Sequence, residues 1–187
     1  MSCIGAVVRI PLGVILGFIV MMGVLFAGLS AVMILAGTPF CFADGSASGS
    51  AVGSAVGSAV GSAVGSWVAS DKFCAAILGV MAVGAFLGGF AAMRIGGTAA
   101  IVFLMLLFGT LGTLTAMGKL QEPDAIRFKD RPAERPEHLG PMQAAQWSET
   151  PAWCEWGKTG AGLAGIAIGA AVGKGPPRAA KRPKPKD

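Results

Sequence analysis

The chain has 187 residues, 53% of them hydrophobic and only 13% charged, with a mean hydropathy of +0.66 and a net charge of +5. A soluble domain carries roughly 25% charged residues, so this composition excludes an ordinary water-soluble globule. The charge is also unevenly placed: residues 1–118 hold only Arg9, Lys72, Arg94, Asp44 and Asp71, whereas the last third holds nearly all the rest. That split predicts an all-α integral membrane protein, a small bundle of 3–4 transmembrane helices with glycine-rich packing faces and an extended polar C-terminal arm.

Residues 11–36 are uncharged and, at 1.5 Å per residue, would extend about 39 Å, enough to span a bilayer with some tilt. Pro11 suits a first helical turn, where its missing N–H leaves no bond unmade, and Arg9 sits just outside. A signal peptide cleaved after Ala43 is the competing reading, but its apolar core would run only about 7–15 residues.

Residues 45–69 come next. Glycine recurs at 45, 49, 53, 57, 61 and 65 through near-identical GSAV units, a repeat expansion and glycine-zipper spacing. A flexible linker, a silk-like strand and a spanning helix all fit the pattern. As a helix, the glycine stripe drifts about 40° per step, so two or three neighbours would share Gly49, Gly53, Gly57, Gly61 and Gly65. With this span and a cytoplasmic N-terminus, 14 of the 15 basic residues fall inside; without it and with the N-terminus outside, 13 do. The expectation is a span over 45–69, by that narrow margin, with Trp67 as an interfacial anchor.

Residues 73–93 and 98–118 read as two further spans. Arg94 and Gly96-Gly97 mark a hairpin so short that the helices must be antiparallel neighbours. Gly84 and Gly88 offer a small face on the first, Gly109 and Gly112 on the second, and small residues let helix backbones approach in lipid.

Residues 119–157 carry five prolines and mixed charge and read as an arm, with at most a short helix about Gly140–Gln146. Trp147, Trp153 and Trp156 near its end are expected at the headgroup level or on a partner subunit. The apolar stretch 158–173 repeats the four-residue spacing at Gly165, Gly169 and Gly173, but is short for a span and reads as a helix lying against others. The tail 174–187 has six bases in 14 residues and four prolines. With Arg9, its Lys174, Arg178, Lys181 and Arg182 are expected to set topology and attract anionic lipid. Nucleic acid is a poor partner for it, because no aromatic residue interleaves the bases.

No acid, histidine or lysine lies inside the expected spans, and His138, the sole histidine, sits in the arm. Cys3, Cys41, Cys74 and Cys154 form no CxxC pair; a Cys41–Cys74 bridge requires both on one oxidising side of the membrane. The catalytic motifs GxSxG, HExxH and the Walker loop are absent. The expectation is a non-catalytic accessory subunit without cofactor or metal, packed against other membrane subunits, in a bacterial or organellar inner membrane with its C-terminus cytoplasmic. A self-associating pore of the holin kind, or a small transporter, is the alternative.

Overall fold

In a computed structural model of the chain, residues 3–42, 67–121, 132 and 140–175 are described. They form helices α1 (Cys3–Cys41), α2 (Asp71–Gln121), α3 (Pro141–Trp147) and α4 (Ala152–Gly173), with two isolated β-bridges and no strand among the described residues. Two stretches, Val8–Gly37 and Asp71–Gly118, are long and apolar enough to cross a membrane.

The second stretch has 48 residues. A straight helix of that length would reach about 72 Å, more than twice a hydrocarbon core. It does not run straight. At Gly97 the backbone takes φ 71°, ψ −162°, a conformation essentially open to glycine alone. The turn divides α2 into halves, α2a (71–96) and α2b (98–121), that fold back on one another. Leu78 of α2a and Gly112 of α2b, 34 positions apart, both pack on the first turns of α4, against Gly157 and Thr159. Gly97→Ala should therefore cost about 1–3 kcal/mol, read as a drop in the unfolding midpoint of the detergent-solubilised protein. An unchanged midpoint would mean that the reversal does not depend on glycine there.

α1 runs antiparallel to α2a. Its Gly13 meets Gly96, Gly17 meets Gly88, and Gly28 meets Val80. α4 runs parallel to α2a from Gly157 beside Leu78 to Gly173 beside Met93, about 24 Å. The helix begins at Ala152, six residues before the expected boundary at 158, and follows α2a over most of its length rather than lying as a short segment.

The ends of these helices are joined at one pole. Phe42 bridges Ala69, and the Ser70 amide donates to the Cys41 carbonyl at 3.0 Å. The Ala69 amide donates to the Glu149 carbonyl at 3.1 Å, and the Glu149 amide to the Trp67 carbonyl at 2.8 Å. Ser70 also caps α2, its hydroxyl accepting from the Phe73 amide at 3.0 Å. We call this the Trp67 end and its opposite the Gly97 end. The chain thus leaves α1 and enters α2 at the same pole, and residues 67–69 are extended, not helical. Apart from residues 67–69, the expected span over 45–69 lies outside the described residues. Gly49, Gly53, Gly57, Gly61 and Gly65 lie outside the described residues.

The polar arm leaves α2b at the Trp67 end, while Lys174 follows α4 at the Gly97 end. Arm and tail therefore start from opposite poles of the described helices. Arg9, Arg94 and Lys174 share the Gly97 end, with no acidic residue beside them among the described residues.

Candidate functional site: the helix seams and a cleft with a buried ion pair

Small residues form the seams between helices. A Cβ on Gly88 would lie 2.6 Å from the Gly17 carbonyl oxygen, and one on Gly17 would lie 2.8 Å from that of Gly88, so the two backbones touch. Gly84 faces the Met21 carbonyl at 3.1 Å. On the other flank of α2a, Gly89 meets the Ile166 backbone, a Cβ on Gly165 would lie 2.6 Å from the Ala82 carbonyl oxygen, and Gly169 meets Phe86. The glycine row of α4 thus lies along α2a, and α2a is gripped from both sides. Gly112 lies against Thr159, whereas Gly109 has only the distant edge of Leu163.

Large apolar side chains show the reverse distribution. Ile19, Phe26 and Leu35 of α1, Phe103 and Leu106 of α2b, and Ile168 of α4 are each exposed by more than half. Interiors of water-soluble proteins bury such residues first. Phe73, Met21, Leu104 and Ile166 are buried in the interior, but an exterior this rich in Ile, Leu and Phe around seams of Gly and Ala suits a hydrocarbon solvent, in which close backbone packing replaces the hydrophobic drive.

The four tryptophans divide. Trp67 is buried, edge-on to Phe42 at 5.5 Å and to half-buried Trp147 at 6.0 Å. These two rings pack into the Trp67 end, where T-shaped pairs add to the burial of their area. Trp153 and Trp156, on the first turn of α4, are exposed as an interfacial anchor requires.

α1 and α2b touch near the Gly97 end, at Gly13–Ala100 and Gly17–Leu104, and diverge toward the Trp67 end. The divergence opens a cleft of about 360 Å³. Phe18, Met22 and Leu25 line one wall, Phe108 and Leu111 the other, and Glu155, Lys158 and Thr159 of α4 close it. Glu155 is 4% exposed; Lys158 Nζ donates to its Oε1 at 2.9 Å and the Thr150 hydroxyl donates to the same oxygen. A carboxylate so buried is tolerable only when its lone pairs are occupied. Sequence reasoning missed this pair by ending the arm at 157. One signal was available: the row Gly165, Gly169, Gly173 extends back through Ala161 and Gly157 at the same spacing, which places 155 and 158 on the same helix.

The cleft offers an apolar body with one polar corner, a shape that accepts a hydrocarbon chain or a partner side chain. No group of three His, Cys, Asp or Glu able to hold a metal occurs among the described residues. Of the basic residues expected to set topology, Arg9 and Lys174 are exposed at the Gly97 end; Arg178, Lys181 and Arg182 lie outside the described residues. No family model, curated protein or solved structure matches this chain.

Proposed function

We propose that the protein is a non-catalytic structural or accessory subunit of a multi-subunit membrane complex, with α1, α2a, α2b and α4 as its spanning helices. The observation that carries this reading is a second row of small residues that the fold leaves unused. Gly23, Ala27 and Ala31 follow one another at four-residue spacing on the outer face of α1, all exposed, and among the described residues nothing lies within 4 Å of a Cβ placed on Gly23. The same pattern lies in the seams of α2a with α1 and with α4, so its recurrence on the exterior supports a partner helix there. The exposed aliphatic residues around it would face lipid or other subunits. The basic tail, beginning at Lys174, supports a cytoplasmic C-terminus in a bacterial or organellar inner membrane, beside anionic headgroups worth about 1 kcal/mol per base. Nucleic acid and cofactors have no part in this reading.

Gly23→Leu tests it. The leucine would begin where no described residue lies within 4 Å, so the unfolding midpoint of the purified chain should not fall. Co-purification in mild detergent should yield a fixed-ratio set of other membrane proteins with the parent chain and lose that set with the variant. Recovery of a homo-oligomer that leaks ions in liposomes would replace the subunit reading with the self-associating pore. Retention of the full partner set by Gly23→Leu would remove α1 from the docking surface.

A further inference from the structure

We propose that Cys74 and Cys154 form a dithiol–disulfide site that can join α2a covalently to α4, with a small-molecule or protein disulfide as its oxidant. Three free thiols, those of Cys41, Cys74 and Cys154, lie in one cluster at the Trp67 end, each fully buried. They are not equivalent. The Cys41 sulfur lies 3.0 Å from the Met33 sulfur and 4.0 Å from the Gly37 carbonyl oxygen, turned back along its own helix. Cys74 and Cys154 instead lie in the same buried cluster on the two sides of the α2a–α4 seam. The Cys41–Cys74 bridge, which the sequence allowed only on condition that both lie on one oxidising side, gives way here to a Cys74–Cys154 pairing.

The helix register supports this pairing independently of any one side-chain rotamer. The two helices are parallel, and Gly157 rests on Leu78. One turn nearer the Trp67 end, four residues back on α2a and three on α4, stand Cys74 and Cys154. Glycine at 157 permits the close approach that a short interhelical bridge requires. Access comes from the position of Cys154 in the first turn of α4, shortly after Pro151, since helix ends open at lower free energy than helix centres.

The exchange balances without further reagents. One thiol loses its proton and attacks the oxidant's disulfide, which gives a mixed disulfide and expels one thiol. The second cysteine then displaces the remaining half and expels the second thiol. Two cysteine thiols are oxidised and one disulfide is reduced. The new bond would pin the turn that carries Glu155, the residue after Cys154, and so hold the polar corner of the cleft in place.

The test uses the full chain in detergent, with Cys3→Ala to remove the fourth thiol, and dipyridyl disulfide as a small apolar oxidant. The expected product is about 2 Da lighter at the Cys74 and Cys154 peptides, now linked, with two pyridinethiones released and no adduct retained on either residue. Cys41→Ala should leave this unchanged. Cys74→Ala should leave a pyridyl adduct on Cys154, which shows that the thiol is reachable and that only its partner was missing. Separate adducts on Cys74 and Cys154 in the folded parent would overturn the proposal. So would a bridge that includes Cys41, or no reaction by folded protein whose unfolded form reacts.

Discussion

Gly88→Leu should destabilise the protein by about 3 kcal/mol, the upper range for forcing atoms into a filled seam. Gly88 has the Gly17 carbonyl 2.6 Å from where its Cβ would begin, and Met21 Cβ at 3.1 Å. The obstruction is backbone rather than the tip of a flexible side chain, so no rotamer change relieves it. α1 would have to move away from α2a along its whole length. The loss would reach the cleft as well, because Gly17 also contacts Leu104 of α2b. Thermal unfolding in detergent measures the effect: for a chain of this size about 3 kcal/mol lowers the midpoint by about 10 °C. Gly23→Leu is the matched control, the same change on the same pair of helices at a position where no described residue lies within 4 Å of the added Cβ. Equal stability of the two variants would mean that the glycine seam does not hold α1.

The second large effect concerns the ion pair at the cleft. Lys158→Ala should cost about 3 kcal/mol, because it leaves the Glu155 carboxylate buried without its cationic partner. Glu155→Ala should cost less, since the Lys158 side chain keeps 19% of its exposure and can extend toward water. Replacing both, Glu155→Leu with Lys158→Met, should recover most of the loss, as apolar groups of similar size need no partner. A double-mutant cycle on unfolding free energy gives the coupling directly. A negligible coupling would mean that the pair is solvated, and the cleft would then open to water or headgroups rather than to hydrocarbon.

The apolar helices were legible because the signal is long and one-dimensional. A run of some twenty residues without charge has few other uses, and the Gly96-Gly97 pair between two such runs reads as a reversal on local rules alone. Gly84, Gly88 and Gly112 were legible for the same reason: small residues at helical spacing make a face. Which helix each face meets was not. The seam of Gly88 is with Gly17, a residue that hydropathy and spacing did not single out, and no rule of spacing connects positions 71 residues apart.

Other features depended on where the chain returns. Trp67 has the composition of an interface residue, but its neighbours Phe42 and Trp147 come from distant segments and enclose it. Glu155 and Lys158 resemble the charged arm that precedes them. Their burial follows only once α4 is extended back to Ala152 and laid against α2. Cys74 and Cys154 have no sequence motif at all, and their contact is a product of helix register.

By itself, then, the order of residues determined that this chain is helical, that two of its helices are long and apolar enough to cross a membrane, and that one of them turns back at glycine. Those properties depend on local hydropathy and on the φ/ψ freedom of single residues. Tertiary structure alone decided the rest: that α1 ends where α2 begins, that α4 runs beside α2a, and that two thiols and an ion pair face inward at one pole. The reason is physical. Contacts between segments far apart in the chain depend on which surfaces fit at van der Waals distance, and a glycine face fits many partners until the whole set of helices is packed.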